Sequence, residues 1–405
     1  MSHDPIKRSG IAGFIDFLFE NSVFLLVGAT AALILANVAP GSYGWLVHTK
    51  NASIAGHQVN LFHFIVNDIG MAFFFLLAGK EIREAMLPGG PLASGRTAAL
   101  PILATLGGMA GPALLYVAGA YLFNPALARG WAVPMATDIA FSYMVARLIF
   151  PRIAGKTHPA IVFLLLLAIA DDAGGLIILA TFYPTGKTNP LMLVALLGTA
   201  IGLSLLLWKV LKVKSFWPYL IGPGTISWYG FLVGGIHPAL ALVPLAWCLP
   251  HEHADLGIWA PGESEGQDTL NKMEHWWKRP VELILGLFGF VNAGVVMSAM
   301  GIGTALVCVG LLIGKPMGIV GMTMLGRLFG LKLPEGMNTR DLIVVGFAAG
   351  IGFTVALFVS IVAFPQGALQ DSVKMGALFS FIVAPITLII AKLIRKPPPQ
   401  LPTAE

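Results

Sequence analysis

Residues 160–180 read AIVFLLLLAIADDAGGLIILA, an apolar run in which Asp171 and Asp172 are the only charged side chains. A helix that crosses a bilayer needs about 20 consecutive apolar residues, and this stretch is long enough. Carboxylates at the centre of a membrane helix are costly and usually functional. The run therefore predicts a membrane span with a functional site at its middle.

The composition has the same character over the whole chain. Of 405 residues, 57% are hydrophobic and only 11% are charged, whereas soluble proteins average about 25% charged residues. We predict an all-α, polytopic membrane protein whose backbone polar groups are satisfied within helices. The two cysteines are too few for a disulfide framework. The net charge of +5 is interpreted as membrane topology and not as nucleic-acid binding.

About twelve apolar spans follow one another along the chain. The first covers about 11–39, and the others begin near His63, Thr97, Ala126, Pro159, Pro190, Phe216, Gly235, Pro280, Gly303, Arg340 and Asp371. The two spans between 216 and 249 are the least regular, because Gly and Pro interrupt them. We predict one transmembrane domain over 1–396 and a short Pro-rich tail over 397–405. A cleaved signal peptide is the alternative for the first span, but that run is long for such a peptide.

The basic residues are distributed unevenly between the two sides of this arrangement. With the N-terminus inside, the outer segments hold only Lys50, Arg129, Lys187 and Lys374. Most other Lys and Arg, Lys80 and Arg83 among them, fall in the inner, cytoplasmic loops. Two connecting loops are longer than the rest. The outer loop 46–61 has an alternating pattern that indicates a β-hairpin, and the inner loop 249–279 is rich in acids.

Four ionisable side chains lie within predicted spans: Asp138, Asp171, Asp172 and Lys315. On insertion scales each one costs about 2.5–3.5 kcal/mol at a helix centre. We therefore expect them to face a wet cavity, to pair with one another or to be neutral part of the time. A structural bridge between Lys315 and one aspartate is the simplest alternative. That bridge leaves surplus carboxylates, which indicate a second positive species, either a proton or a metal cation.

Helix breakers lie close to these charges. Pro134 precedes Asp138 by four residues, and Gly350 and Gly352 weaken a later span. Two discontinuous helices at membrane depth are typical of a transport site. Because half-helix ends carry about half a charge each, we expect Asp138 to face positive ends and Lys315 to face negative ones. Close helix packing is the alternative for any single glycine.

The side chains near the acids suit a small, hard cation such as sodium. Asp171, Asp172 and Thr137 offer oxygen ligands, by analogy with the ligands of hard divalent ions. Adjacent carboxylates titrate as a coupled set, so a site that holds either protons or the cation exchanges them by competition. With alternating access this predicts an antiporter, which is a transporter without a cofactor. On a helix Asp171 and Asp172 diverge by about 100°, so one can hold the ion while the other pairs with Lys315, in either order.

Two other functions fit part of this pattern. An intramembrane aspartyl protease also uses two buried aspartates that share a proton, and Asp138 with Asp172 could fill that role. Lys315 and the lack of a Gly-x-Gly-Asp run argue against it. A proton-coupled symporter for an organic solute needs a larger pocket with aromatic or hydrogen-bonding groups, whereas Ala, Ile, Gly and Leu surround the charges here.

Six motifs resemble those of the NhaA family of bacterial sodium/proton antiporters. In order they are Asn67-Asp68-Ile69-Gly70-Met71-Ala72-Phe73-Phe74, Ala136-Thr137-Asp138-Ile139-Ala140-Phe141, Ala170-Asp171-Asp172, Phe290-Val291-Asn292-Ala293-Gly294-Val295, Gly314-Lys315-Pro316 and Gly350-Ile351-Gly352-Phe353-Thr354. The resemblance implies twelve helices in inverted repeats, two broken helices that cross near the midplane, and both termini in the cytoplasm of a bacterial inner membrane. It also implies pH-regulated, electrogenic exchange of sodium or lithium for protons.

The resemblance also implies roles for individual residues. Asp172 would be the main sodium ligand, and Asp171 its partner that exchanges between the ion and Lys315. Asp138 and Thr137 would contribute to ion binding from the broken fourth helix. Lys315 would carry a proton.

Regulation and assembly are implied in the same way. The pH-responsive region would map to Glu81 and Glu274, and His237 matches the family's Gly-x-His. A satisfied core histidine is the alternative for His237. The outer loop 46–61 would join two copies into a homodimer.

Overall fold

The computed structural model describes residues 18–19, 22–54, 57–93, 95–151, 157–186, 188–251 and 268–394. In these residues the chain is helical apart from turns, connections and one two-stranded sheet, so the predicted all-α class is confirmed. The Pro-rich tail, residues 1–17 and most of the acidic inner loop (252–267) lie outside the described residues.

The helices follow the predicted spans in order. They are α1 (Val23–Val38), α2 (Pro40–His48), α3 (Leu61–Met86), α4 (Gly95–Phe123), α5 (Ile139–Ile149), α6 (Pro159–Phe182), α7 (Pro190–Val210), α8 (217–234), α9 (Val243–Ala246), α10 (Thr269–Asn292), α11 (Ile302–Leu328), α12 (Thr339–Ala348), α13 (Phe353–Ala363) and α14 (Ala368–Ile394). Short 3₁₀ turns cover Pro125–Gly130, Val133–Met135, Pro238–Leu240 and Met297–Ala299. The strands are β1 (Ala52–Ile54) and β2 (His57–Val59), which pair antiparallel with Ala52 opposite Val59, so the outer loop contains the expected hairpin.

Within the described residues, six helices are long and apolar enough to cross a membrane by themselves: α3, α4, α6, α7, α11 and α14. α12 and α13 are bent by 48° at a short break and together make a seventh. The remaining predicted spans are shorter or interrupted. The span predicted from Gly235 holds only the turn Pro238–Leu240 and the single-turn α9, because two prolines within it start new turns.

α10 begins well before the span predicted from Pro280. The Asp268 side chain accepts a hydrogen bond from the Asn271 N–H at 2.7 Å and caps the helix at Thr269. Lys278 and Arg279 therefore lie on a helix and not in the inner loop. The same correction applies to Lys80 and Arg83, which sequence alone assigns to a loop and which are buried on α3. Hydropathy misses these helical ends because charged residues lower the average there.

Glycines allow α1 to pack closely along α10. A Cβ added to Gly286 would lie 3.1 Å from the Cβ of Phe24, and one added to Gly289 would lie 2.8 Å from the Leu25 carbonyl oxygen. Small residues of this kind let membrane helices approach each other. The close approach makes α1 part of the helical bundle in the described residues.

One arrangement of three elements occurs twice along the chain. A long helix, a broken segment and a second long helix form α4, 125–149 and α6, and again α11, 339–363 and α14. The two leading helices pack closely, since a Cβ on Gly314 would lie 2.6 Å from the Pro112 Cα. This repetition agrees with the predicted architecture and brings the two broken segments together.

Candidate functional site

The first broken segment loses its helical form just before Asp138. Pro134 lies in the turn Val133–Met135, the next three residues lie outside any helix, and α5 starts at Ile139. Proline has no N–H to continue a helical ladder. The Asp138 carboxylate accepts a hydrogen bond from the Phe141 N–H at 3.3 Å, so it caps the new helix.

The second broken segment crosses the first at this point. The Asp138 N–H donates to the Ile351 carbonyl at 2.6 Å. A Cβ on Gly352 would lie 2.7 Å from the Ala136 oxygen, and one on Gly350 would lie 2.6 Å from the Leu311 oxygen. Neither approach is open to a larger residue without movement of the backbone, so the two glycines permit the crossing.

Asp138 lies between two helix N-termini. Besides capping α5, it accepts through Oδ2 from the Thr354 N–H at 3.2 Å and from the Thr354 hydroxyl, in the first turn of α13. Helix N-termini carry partial positive charge. The carboxylate is 5% exposed, and both of its oxygens already accept hydrogen bonds. This geometry favours charge compensation by Asp138 over direct coordination of an ion.

Lys315 is fully buried on α11. Its ammonium donates to Oδ2 of Asp171 at 2.8 Å and also to the carbonyl of Met135, at the C-terminal end of a 3₁₀ turn. Carbonyls at such ends carry partial negative charge. The amine therefore faces one carboxylate and one negative turn end.

Asp171 is the carboxylate that pairs with Lys315. The same oxygen, Oδ2, accepts from the Thr137 hydroxyl at 2.9 Å. That hydroxyl also lies 3.0 Å from the Ala349 carbonyl. Because a hydroxyl has one proton, it can donate to only one of these acceptors at a time, and its lone pairs become available when it turns to Ala349.

Asp172 has an unpaired oxygen beside a small cavity. Its buried Oδ1 has no hydrogen-bond partner within the described part of the chain. Both aspartates line the cavity, whose walls are otherwise mostly apolar and include Phe75, Ala136 and Gly175. The volume open to the centre of a water-sized sphere is about 20 Å³, enough for about one or two waters or a single bare ion.

The oxygen atoms around this cavity suit a monovalent cation better than a transition metal. In the described residues, no three His, Cys, Asp or Glu side chains converge as a metal centre. The available ligands are the two carboxylates, the Thr137 hydroxyl and nearby carbonyls. Asp172 also lies within electrostatic range of Asp138, Glu81 and Lys315, so the predicted charges are brought together.

Glu81 and Glu274 belong to an ionic cluster where α3 meets α10. The Lys80 ammonium donates to Oε2 of Glu84 at 2.6 Å and to Glu274. Glu81 lies within electrostatic range of these groups and of Asp172. The cluster can therefore influence the cavity through its charge.

His237 is placed by packing and capping contacts. Its Nδ1 accepts from the Ala239 N–H at 3.3 Å, its Nε2 lies 3.9 Å from Oδ1 of Asp68, and its ring packs against Phe358 at 5.0 Å. These contacts agree with the alternative of a satisfied core histidine.

Two groups at the crossing were not singled out from sequence. Thr354 donates to Asp138, and its position two residues after Gly352, at a helix start, was a signal that could have identified it. The Met135 carbonyl accepts from Lys315 and has no sequence signal, because any residue supplies a carbonyl.

Comparisons with known proteins agree on one family. Residues 14–391 match the sequence model of the family described as Na+/H+ antiporter 1. The Na(+)/H(+) antiporter NhaA of Jannaschia sp. (strain CCS1) is 46% identical, over 93% of this chain and 97% of that protein. The Na(+)/H(+) antiporter NhaA of Geotalea uraniireducens (strain Rf4) is 45% identical, over 94% and 96%.

A solved structure shows the same fold at much lower identity. The sodium proton antiporter MjNhaP1 from Methanocaldococcus jannaschii superposes with a TM-score of 0.56 and 14% identity, covering 95% of each chain. The likeness supports the predicted fold of a polytopic transporter.

Proposed function

The chain belongs to the Na+/H+ antiporter 1 family, and we propose that it exchanges sodium for protons at the cavity beside Asp171 and Asp172. It is a multi-pass membrane protein and a sodium/proton antiporter, as its relatives are named. The observation that supports the proposed site is that the two adjacent carboxylates differ in their hydrogen-bond partners. Both aspartates line a cavity of ionic size and have an unpaired Oδ1 within the described residues. Lys315 and Thr137 hold Asp171 through its Oδ2, whereas no hydrogen bond among the described residues holds Asp172.

Competition at this site accounts for exchange. In the proton-loaded state, Asp172 carries a proton and Asp171 pairs with the Lys315 ammonium. A sodium ion entering the cavity displaces the Asp172 proton and draws Asp171 away from Lys315. The Thr137 hydroxyl then donates to Ala349 and offers a lone pair to the ion. Sodium and the displaced protons cannot occupy the site together, so each leaves when the other arrives.

The net charge moved in each transport cycle depends on whether Lys315 keeps or releases its proton. If Lys315 keeps its proton, one proton is exchanged for one sodium ion and no net charge moves. If Lys315 releases its proton when Asp171 turns to the ion, two protons are exchanged for one sodium ion. We favour the second case, in which each cycle imports one net positive charge and exchange is electrogenic. Support comes from the buried position of Lys315, whose ammonium loses its only carboxylate partner in the described residues when sodium binds.

Regulation by pH is proposed for the ionic cluster of Glu81 and Glu274. Protonation of this cluster changes the charge near Asp172, since Glu81 is within electrostatic range of it. His237 belongs to this proposal only through its 3.9 Å approach to Asp68, which a proton on the imidazole would strengthen.

The proposal also covers the membrane in which the protein lies and the cations that it transports. We place the protein in a bacterial inner membrane with both termini cytoplasmic, in contact with lipid, and we expect lithium to replace sodium.

The hairpin β1–β2 is proposed as the contact between two copies of the chain. It has two strands, so its free edges can pair with those of a second copy. Replacing 52–59 by a short Gly-Ser linker is expected to convert a homodimer into a monomer by native mass measurement. A dimer of unchanged stability would contradict this interface.

The cavity argues against the two alternative functions. An organic solute would need more room than about 20 Å³. A protease dyad of Asp138 and Asp172 would have to share a proton, whereas both oxygens of Asp138 already accept hydrogen bonds from the starts of α5 and α13.

Transport in proteoliposomes tests the proposed function. A proton gradient is imposed and sodium, lithium or potassium is added while internal pH is followed. Sodium should dissipate the gradient, lithium should do the same, and a voltage-sensitive dye should report net charge movement. If no alkali cation dissipates the gradient across the neutral pH range, the proposal is wrong.

A further inference from the structure

Glu282 is a carboxylate on α10 that the proposed exchange does not use. It lies within the helix, near the point where sequence alone placed the start of a span. The Ser22 hydroxyl donates to its Oε1 at 3.1 Å. Its Oε2 is buried and has no hydrogen-bond partner within the described residues.

A purely structural role does not require this charge. Glutamine has the same length as Glu282 and would accept the same hydrogen bond from Ser22 through its amide oxygen. A buried carboxylate oxygen without a donor is destabilising. A proton or a bound cation would satisfy this oxygen, and only the cation makes use of the negative charge.

The position of Glu282 connects two charged regions. Glu274, Lys278 and Glu282 are spaced by four residues and so follow one face of α10. Glu274 joins the ionic cluster at Lys80, while Glu282 lies within electrostatic range of Lys278 on one side and Asp138 on the other. The carboxylate thus shares a face of α10 with Glu274 of the ionic cluster and lies within electrostatic range of Asp138 at the crossing.

Negative charge near a binding site raises the local concentration of cations and speeds their capture. We propose that Glu282 is an auxiliary cation-binding carboxylate, which holds sodium transiently on its way from the inner face to Asp172. The proposal rests on the proposed sodium/proton exchange. Ser22 orients the carboxylate, and the unpaired Oε2 is the ligand atom.

Glu282→Gln tests the proposal in vesicles of known orientation. When sodium is supplied at the inner face at low ionic strength, its half-saturating concentration should rise roughly three- to tenfold, with the maximal rate within about twofold of wild type. When sodium is supplied at the outer face, the half-saturating concentration should not change. A general structural defect would alter both faces alike.

Three variants make the result specific. Glu335→Gln removes an exposed carboxylate from the connection between α11 and α12 and should leave both half-saturating concentrations unchanged. Ser22→Ala keeps the Glu282 charge and should raise the inner value less than Glu282→Gln does. If Glu282→Gln fails to fold, Glu282→Asp serves instead, because it keeps the charge on a shorter side chain and should give an intermediate inner value.

Two results distinguish a failure of this inference from a failure of the proposed sodium/proton exchange. If wild type shows no sodium-dependent exchange, the proposed function fails. If wild type exchanges sodium and Glu282→Gln matches Glu335→Gln at both faces, only the role of Glu282 is overturned.

Discussion

At the scale of single residues, two neighbouring aspartates have different environments because they lie on a helix. One residue of separation turns their side chains apart by about 100°. Both side chains line the cavity, but of the two only Asp171 forms hydrogen bonds with Lys315 and Thr137 among the described residues. In the proposed exchange, Asp171 is the internal counterion of Lys315 and Asp172 is the main ion ligand.

Asp172→Asn should abolish sodium-driven exchange while the protein still folds. The amide keeps the shape of the side chain but loses the charge that competes for sodium and protons. Removing an unpaired buried carboxylate should leave thermal stability equal or higher. Asp371→Asn, at the start of α14, removes a comparable charge away from the cavity and should retain exchange. Full activity of the Asp172 variant in proteoliposomes would rule out the proposed site.

Lys315→Ala should destabilise the fold as well as stop exchange. It leaves the Asp171 carboxylate buried without its cation, and breaking such a pair costs about 3–5 kcal/mol. Lys315→Arg restores a cation that does not release its proton, so it should recover most of the stability and give exchange that moves less net charge. Thermal unfolding in detergent and a voltage-sensitive dye measure these effects. An alanine variant as stable as wild type would show that the pair contributes nothing.

At the scale of elements, interrupted helices are what make buried charges tolerable. A continuous helix has its partial charges at the membrane surfaces, whereas a broken one presents them in the interior. Here Asp138 lies against the starts of α5 and α13, and Lys315 lies against the end of a 3₁₀ turn. Pro134, Gly350 and Gly352 permit this arrangement by ending a ladder or by allowing close backbone approach.

Gly352→Ala should disturb the crossing of the broken segments. Its new Cβ would lie 2.7 Å from the Ala136 oxygen, and such overpacking costs typically about 1–3 kcal/mol. Exchange should slow, because the segment that carries Thr137 and Asp138 must move aside. Gly198→Ala on α7 is the matched control, since nothing lies within 4 Å of its added Cβ. Equal rates and stabilities for the two variants would show that the crossing tolerates a side chain.

At the scale of the whole molecule, the two repeated units bring distant parts of the chain to one cavity. Asp171 comes from α6, Lys315 from α11 and Thr354 from α13. The first unit supplies the three aspartates, and the second supplies Lys315 and Thr354. Because the site holds either ion, the affinity for sodium must depend on pH.

The half-saturating sodium concentration should rise as pH falls. In the range where the site is protonated, a single competing proton gives about a tenfold rise for each pH unit, and two protons give about a hundredfold rise. The slope therefore counts the protons exchanged, and Lys315→Arg should bring it towards the single-proton value. Exchange rates at several sodium concentrations and pH values measure it. A half-saturating concentration independent of pH would exclude competition.

Sequence alone determined the class of the protein and identified the four ionisable side chains Asp138, Asp171, Asp172 and Lys315 within its spans. Both features are local properties of the sequence: an apolar run long enough to cross a membrane, and an acidic residue within that run. They can be recognised because the free energy of transferring each side chain from water into the membrane is known. The errors of the sequence-based prediction also concerned short stretches of the chain. Charged helix ends such as Lys80 and the first turns of α10 were assigned to loops, because hydropathy averages cannot show that a charge is paired within the fold.

Only the tertiary structure decided which aspartate pairs with Lys315 and that Thr354 and a main-chain carbonyl complete the charge balance. It also decided that one oxygen of Glu282 is buried without a hydrogen-bond partner among the described residues. These facts depend on contacts between segments separated by more than a hundred residues. Such contacts are set by how the helices pack against each other, and no stretch of the chain contains that information by itself.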